Sequence, residues 1–112
     1  MSLVVVTSER VAEHQTPPGH PESPQRAAVL NNVASEWRRR DGEVVRPSPA
    51  SREALLRVHD AAYLDWLDGY AGRSAALDAD TFTSPESIEI ATLAAGAAVT
   101  AVDAVLDGQH AR

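Results

Sequence analysis

Two short β-branched runs, separated by a single helix, limit the possible folds more than any other feature of this sequence. The first run, Leu3–Thr7 (LVVVT), has no charged residue and is typical of a buried strand in a parallel sheet. The second run, Glu43–Arg46 (EVVR), is stopped by Pro47. A strand, a helix and a second strand at this spacing predict a βαβ unit.

The helix between these strands has clear signals at both ends. Ser23–Pro24 predicts an N-cap followed by proline at the first helical position. The basic run Arg38–Arg40 suits a helix C-terminus, which carries partial negative charge, and Asp41–Gly42 predicts a turn. Apolar residues at helical spacing lie between these signals, at Ala27, Leu30, Val33, Ala34 and Trp37.

Three more helices follow, without a further strand. The second helix opens at a serine, either in the Ser48–Pro49 pair or at Ser51, and the third (AAYLDWLDGY) is capped by Asp60. A polar loop then leads to an alanine-rich last helix. Ser84–Pro85 predicts the cap and the first-turn proline of this helix. The helix is predicted from about Glu86 to Asp107 and stops at Gly108.

The small number of strands has a consequence for the fold. Two parallel strands do not form a stable core alone, and an α/β chain should enter a third strand soon after the Gly108 stop. The sequence ends instead at QHAR. We therefore expect residues 1–112 to be the N-terminal part of one α/β domain, mostly helical with two short strands. The alternative is a complete, mostly helical protein with two minor strands.

Composition excludes several classes of function. The formal net charge is −6, from 16 acidic and 10 basic residues, which argues against a general nucleic-acid binder. The absence of cysteine excludes disulfides and thiolate metal sites. The N-terminus (MSLVVVTSER) lacks the features of a signal peptide, and the longest charge-free apolar run, Ile90–Val102, is shorter than the ~20 residues of a membrane span. We expect a cytoplasmic protein without a membrane segment.

The segment His14–Arg26 (HQTPPGHPESPQR) is too rigid and too polar for an ordinary connection, since it combines two histidines with four prolines. Together with Asp78 and Asp80, its His14 and His20 could supply nitrogen and oxygen ligands to a zinc ion. Their spacing matches no closed zinc site, and histidines in loops are more often simply hydrogen-bonded. We favour the second interpretation and assign no metal ligand.

Other polar residues allow two interpretations each. Arg26 lies in the first turn of its helix, where the dipole disfavours a cation, so it either serves a carboxylate or an anion or is a plain surface arginine. The loop Asp78–Thr81 (DADT) is either a solvated acidic turn or an acceptor for a ligand N–H at a pocket rim. We expect a structural role for His59, in the core or at a helix end. Three helix-spaced residues are predicted core: Tyr63, Trp66 and Leu67.

Three ordered blocks of the sequence resemble the N-terminal third of the histone deacetylase superfamily. They are GHPESPQR, VVRPSPASREALLRVHDAAYLDWL and LDADTFTSPESIEIATLAAGAAVTAVDAVLDG. They are most similar to bacterial class II-like deacetylases, acetylpolyamine amidohydrolases and acetoin-utilisation proteins, and the resemblance extends from about Thr7 to Gly108. It implies the arginase/deacetylase fold, a parallel sheet with helices on both faces, and zinc-dependent hydrolysis of an N-acyl amide such as acetyl-lysine or an acetylated polyamine.

The resemblance also implies roles for individual residues. His20 and Pro21 match the first loop of the family, which forms one wall of the substrate channel. Asp80 matches the second-loop position that accepts hydrogen bonds from the substrate backbone in many members. Arg26 matches the arginine that lines an internal cavity beneath the active site, and His59 matches a motif histidine to which we assign a structural role.

The catalytic residues of the family match nothing in this chain. Its tandem catalytic histidines follow the third strand, and the Asp, His and Asp that bind zinc come later, whereas this sequence has no His-His pair. We therefore assign no catalytic residue, and we expect the isolated chain to bind no catalytic zinc and to hydrolyse no amide. The alternatives are a non-enzymatic interaction module that pairs with itself or a partner, and a chain completed by a separate C-terminal segment.

Overall fold

The computed structural model describes residues 3–107. Strand β1 covers Val4–Val6 and is followed by a short 3₁₀ helix, Glu9–Glu13. After a proline-rich loop come helix α1 (Pro24–Arg39) and strand β2 (Glu43–Val45). The remaining elements, in chain order, are α2 (Arg52–Leu56), α3 (Ala61–Asp68), β3 (Ala75–Ala76), β4 (Phe82–Thr83) and α4 (Ser87–Leu106).

The βαβ unit predicted from the sequence is confirmed. Strands β1 and β2 are parallel, with Val4 opposite Glu43 and Val6 opposite Val45, and α1 connects them. Beyond the paired residues, the Thr7 N–H donates to the Val45 carbonyl at 3.1 Å. The carboxyl end of β1 is therefore held in place where the chain enters the 3₁₀ helix and the proline-rich loop.

The connection from α1 to β2 depends on a left-handed residue and a glycine. Asp41 has a φ of 60°, and the Gly42 N–H donates to the Trp37 carbonyl at 2.9 Å, which ends the helix. A Cβ on Gly42 would lie 2.3 Å from the Trp37 ring. Glycine at this position therefore lets the indole pack directly on the main chain.

Helix α4 crosses the chain between β2 and α2 at very short range. The Ala50 N–H donates to the Thr92 carbonyl at 3.0 Å, and a Cβ added to Gly96 would lie 1.8 Å from the Ser48 carbonyl oxygen. The same side of α4 supplies the buried Ile90 and Leu93. The two other buried hydrophobic residues of the described chain are Ala34 on α1 and Leu64 on α3.

The core between these elements is small, and large apolar side chains of α1 and α4 face outward. On α1 they are Val29, Leu30 and Val33; on α4 they are Val99, Val102, Val105 and Leu106. The chain therefore forms the elements of an α/β layer without covering both of its faces.

The structure corrects the sequence-based predictions in two places and decides between two alternatives in a third. The polar loop before the last helix contains an antiparallel hairpin, β3–β4, whose strands of two residues leave no periodic signal. Ser51, rather than Ser48, caps α2, accepting the Ala54 N–H at 3.1 Å. Helix α4 begins at Ser87, so Ser84–Pro85 form a turn before it. The predicted stop at Gly108 lies outside the described residues.

Helix α4 is also longer than its charge-free segment. By length and composition it passes as a membrane span, with 20 residues and a mean hydropathy of 1.6. Its length and composition therefore meet a test that Ile90–Val102 alone does not meet, and that core helices of soluble proteins also pass. The contacts of α4 with β1 and with residues 48–50 are nevertheless those of a helix packed inside a domain.

Substitution Gly96→Ala tests the close crossing. In an ordinary helix this change stabilises by about 1 kcal/mol. Here the methyl group would overlap the Ser48 carbonyl, so we expect a loss of about 2 to 3 kcal/mol in the free energy of unfolding, measured by urea denaturation. The exposed Ala98→Gly change is the matched control and should cost only about 1 kcal/mol. A Gly96→Ala variant more stable than the parent would contradict the crossing.

Candidate functional site

The proline-rich loop between the 3₁₀ helix and α1 is braced by its own hydrogen bonds. The His20 N–H donates to the Pro17 carbonyl at 3.1 Å, and the Glu22 N–H donates to His20 Nδ1 at 3.1 Å. The Thr16 hydroxyl donates to the Glu22 carbonyl. Gly19, with a φ of 80°, supplies the left-handed turn residue between them. This loop, residues 14–23, is called the first loop below.

Residues 77–81 (LDADT) form the tip of the β3–β4 hairpin and are called the second loop below. The Leu77 N–H donates to the Thr81 carbonyl at 2.8 Å, and the Asp80 N–H donates to Asp78 Oδ1 at 2.8 Å. Hydrogen bonds from the Asp80 N–H and from Thr81 lower the pKa of Asp78 below its usual value. Asp78 therefore shapes the loop, while Asp80 lies exposed at its tip.

The structure brings the two loops together at His20. Its Nε2 lies 2.9 Å from the Asp80 carbonyl oxygen, and its ring meets the Phe82 ring edge-on with centroids 5.4 Å apart. The contact involves the main chain of Asp80, so its carboxylate is not needed to hold the loops. Pro21 follows His20 on the same loop. Three residues predicted from the sequence, His20, Pro21 and Asp80, thus lie in one region, and Phe82 joins them without having been predicted.

Arg26 lies apart from these three residues. It lines a cavity of about 310 Å³ between the end of β1, the start of α1 and α4, with Val6, Leu93 and Ala97 among the apolar wall residues. His14 and Glu22 also line this cavity. A guanidinium and an imidazole beside one carboxylate, in a largely apolar cavity, suit a small polar or anionic guest.

Sequence reasoning missed a hydrogen-bond network behind the first loop. His14 Nδ1 lies 2.7 Å from Ser87 Oγ, and His14 Nε2 lies 3.2 Å from Glu22 Oε2. Ser84 Oγ accepts the Gln15 N–H at 2.9 Å, and the Ser84 N–H donates to Ser87 Oγ at 2.7 Å. The sequence suggested His14 as a possible metal ligand and Ser84 as a helix cap, but nothing in it linked the two residues.

A carboxylate, an imidazole and a hydroxyl in a row are the parts of a nucleophilic triad. The chemistry does not follow here, because Ser87 is only 6% exposed and its oxygen already meets His14, the Ser84 N–H and the Ser84 hydroxyl. A substrate carbonyl would have no approach to it. We therefore interpret the row as a structural network.

The described structure does not gather His14, His20, Asp78 and Asp80 into one group of metal ligands. Between residues 3 and 107, no three histidine, aspartate or glutamate side chains gather as metal ligands. Both ring nitrogens of His14 and both of His20 are occupied by hydrogen-bond partners from the protein. The histidines of the first loop therefore form no group of three metal ligands within the described residues.

The segment around His59 differs from expectation in its burial. The His59 N–H donates to the Leu55 carbonyl at 3.0 Å, as at a helix end, and its ring stacks on Tyr63 with centroids 5.3 Å apart. Tyr63 and Trp66 are 45% and 47% exposed, so their prediction as core residues is wrong; Leu64 is the buried residue of α3. Helix α3 presents its aromatic side outward because little in this chain covers it.

Ion pairing fixes the start of α4 against the 3₁₀ helix. Arg10 Nη1 lies 2.7 Å from Glu89 Oε1, and Arg10 Nε lies 2.9 Å from Glu13 Oε2. Hydrogen bonding to Arg10 lowers the pKa of Glu89, and the two carboxylates raise the pKa of Arg10. These groups are exposed, so they contribute orientation more than stability.

Comparisons with known proteins agree on one family. The family model described as "Histone deacetylase domain" matches residues 20–112. The chain is 40% identical to the "Histone deacetylase-like amidohydrolase" of Pseudomonas aeruginosa, over 81% of this chain and 24% of that protein. It is 53% identical to "Acetylpolyamine amidohydrolase 1" of the same organism, over 43% of this chain and 13% of that protein.

A solved structure shows the same fold. The crystal structure of the HDA15 HD domain superposes with a TM-score of 0.77 at 22% identity, over 97% of this chain and 33% of that one. The α/β deacetylase-type fold expected from the sequence is thereby confirmed. The chain spans less than two fifths of the length of the curated relatives that it matches.

The role of Asp78 leads to a pH-dependent prediction. Because the folded state lowers the pKa of Asp78 below its usual 3.8, this hydrogen bond stabilises the loop above that pH and is lost as the pH falls through the lower folded value. In a titration followed by NMR, the Asp80 amide proton should shift with a midpoint below pH 3.8. Asp78→Ala should abolish that transition. A midpoint at or above the usual value would contradict the assigned hydrogen bond.

Proposed function

The chain belongs to the histone deacetylase family, and on that premise we propose that it forms the N-terminal part of a zinc-dependent N-acyl amide hydrolase domain. In this proposal it contributes walls of the substrate channel and leaves the catalytic centre to another part of the domain. The substrate is an acetylated amine, either acetyl-lysine or an acetylated polyamine. The printed names of the two Pseudomonas relatives support that substrate class.

The contact between the first and second loops carries the proposal. His20 Nε2 on the Asp80 carbonyl, with the Phe82 ring beside it, places an aromatic surface, a rigid proline and an exposed carboxylate side by side. An acylated amine needs an apolar wall for its alkyl chain and an acceptor for its amide N–H. This pair of loops offers both, and its internal hydrogen bonds preorganise them.

Each predicted residue then has a separate task. His20 and Pro21 form the wall and fix its position, while the Asp80 carboxylate accepts an N–H from the bound substrate. Arg26, in its cavity behind the first loop, receives a carboxylate, which is the product left when an amide is hydrolysed.

Zinc belongs to the proposal only through the rest of the domain. When bound, it would polarise the amide carbonyl and activate water. Since residues 3–107 gather no group of three possible ligands, the proposal places the metal on residues other than these. We expect the isolated chain to bind no catalytic zinc and to hydrolyse no amide, and we propose a cytoplasmic setting for the assembled domain.

The outward-facing apolar side chains favour one alternative. Val33 on α1 and Val102 on α4 are 55% and 57% exposed, and each has apolar neighbours on the same helix. A face of this kind is normally covered by protein. The remainder of a deacetylase domain would cover it, but a second copy of the chain, or another partner of a non-enzymatic interaction module, would do so equally well.

A chimeric enzyme tests the proposed function. Residues 1–112 would replace the matching segment of the Pseudomonas histone deacetylase-like amidohydrolase, and deacetylation of acetyl-lysine and acetylpolyamine substrates would be measured. We expect an active enzyme in which Asp80→Ala lowers kcat/KM by about tenfold to a hundredfold, since one hydrogen bond from a substrate N–H to a charged acceptor is lost.

The control for this experiment is Asp103→Ala, which removes an exposed carboxylate on α4 far along the chain from both loops. It should leave kcat/KM unchanged. A folded chimera without activity would contradict the proposed function, and equal activity of the Asp80→Ala and parent chimeras would contradict the role of Asp80.

The self-association alternative has its own test. If the outward apolar side chains of α1 and α4 pair copies of the chain, sedimentation should show a dimer that the double change Val33→Asp and Val102→Asp converts to monomer. Val58→Asp alters an equally apolar but separate side chain, 77% exposed, and should leave the dimer intact. A folded monomer at all concentrations would contradict self-association of the chain.

A further inference from the structure

His14 joins the two ends of the first loop and ties them to the start of α4. Its Nε2 reaches Glu22 Oε2 across the loop at 3.2 Å, and its Nδ1 reaches Ser87 Oγ at 2.7 Å. The neighbouring Gln15 N–H donates to Ser84 Oγ at 2.9 Å. The side chain of His14 is only 21% exposed, and Ser84 and Ser87 are buried. The Ser84 and Ser87 side of the network is therefore shielded from competing water, whereas the Glu22 side chain is 56% exposed.

The partners determine where the imidazole proton lies. The ionised Glu22 carboxylate can only accept, so the nitrogen facing it, Nε2, must carry a proton. Ser87 Oγ accepts the Ser84 N–H at 2.7 Å, which leaves its own hydroxyl proton free to point at Nδ1. In the tautomer with the proton on Nε2, the ring donates at that nitrogen and accepts at Nδ1. Every donor in the row has an acceptor.

The network and the His20 contact hold the loops at two separate points. Ser84 directly follows β4, so the bonds to Ser84 and Ser87 fix the end of the hairpin that carries the second loop. At the opposite end, the His20 ring meets the Asp80 carbonyl. A single hydrogen bond at the exposed tip would let the two loops rotate relative to each other, whereas two attachments fix both the distance and the angle between them. The spacing of the loops therefore depends on His14.

We propose that His14 is a positioning residue that sets the first loop against the second through Ser87 and Glu22, and so places His20 beside Asp80. The effect on a substrate rests on the proposed function. The clamp, meaning the two hydrogen bonds that link His14 to Ser87 and to Glu22, is a property of this chain itself. If the chimera proved inactive while the clamp was observed, the proposed function would fall and the clamp would stand.

The parent chain provides the first test, without any substitution. Long-range proton–nitrogen correlation of the histidine rings at neutral pH should show His14 wholly as the Nε2–H tautomer. It should also show cross-relaxation between the His20 and Phe82 rings. A mixed or Nδ1–H population at His14 would overturn the proposal. This measurement also decides the matter if the variants below fail to fold.

Two half-conservative variants separate the two arms of the clamp. In His14→Asn the amide oxygen takes the place of Nδ1 and can still accept from Ser87, but nothing reaches Glu22. In His14→Gln the amide nitrogen takes the place of Nε2 and can still donate to Glu22, but the bond to Ser87 is lost. His14→Ala removes both arms. His59→Asn makes the same chemical change at a histidine outside the network.

Amide hydrogen exchange reports on the two hydrogen bonds of His14 separately: the Gln15 amide follows the bond to Ser87, and the Glu22 amide follows the bond to Glu22. His14→Ala should speed exchange of both the Gln15 and Glu22 amides at least about fivefold, and weaken the His20–Phe82 cross-relaxation. His14→Gln should speed Gln15 alone, His14→Asn should speed Glu22 alone, and His59→Asn neither. The amides of the buried Ile90 and Leu93 report whether the fold is kept. Equal acceleration of Gln15 and Glu22 in the Asn and Gln variants, or none in any variant, would overturn the proposal.

Discussion

The crossing of α4 over residues 48–50 sets the position of every other part of the structure. Because residue 96 is glycine, the helix meets the Ser48–Ala50 main chain directly, and the Ala50 N–H bonds to the Thr92 carbonyl in the middle of the helix. With the helix so placed, Ile90 and Leu93 are buried beside β1. The first turn of α4 then lies beside the segment that follows β1. There Ser87 bonds to His14, and Glu89 accepts from Arg10.

The position of α4 determines how the two loops are oriented. The first loop is rigid through its prolines and its internal hydrogen bonds, but rigidity alone does not orient it. Orientation comes from contacts separated by many residues in sequence: His14 to Ser87, Gln15 to Ser84 and His20 to Asp80. Loops held in this way need no further ordering to bind a ligand, which lowers the conformational entropy lost at binding.

The sequence predicted the parts whose physics is local, and failed where distant segments decide. The βαβ unit, the helix starts at Pro24 and after Asp60, and the grouping of His20, Pro21 and Asp80 all follow from short-range patterns or from the family resemblance. The β3–β4 hairpin leaves no periodicity in strands of two residues. Tyr63 and Trp66 have core spacing but lie exposed, because spacing identifies an apolar side and not what covers it. The His14 network joins residues more than seventy positions apart and has no sequence signature.

Membership of the deacetylase family and the paired loops together lead to one central claim, that this chain supplies the channel wall and the substrate acceptor of an amide-hydrolysing domain. A crystal structure of the chimeric domain with a bound acetyl-lysine peptide tests it most directly. The account predicts a hydrogen bond between the Asp80 carboxylate and a backbone N–H of the peptide, with the His20–Asp80 contact retained along the channel. A peptide bound elsewhere, or bound in the channel without contact to the first or second loop, would contradict it.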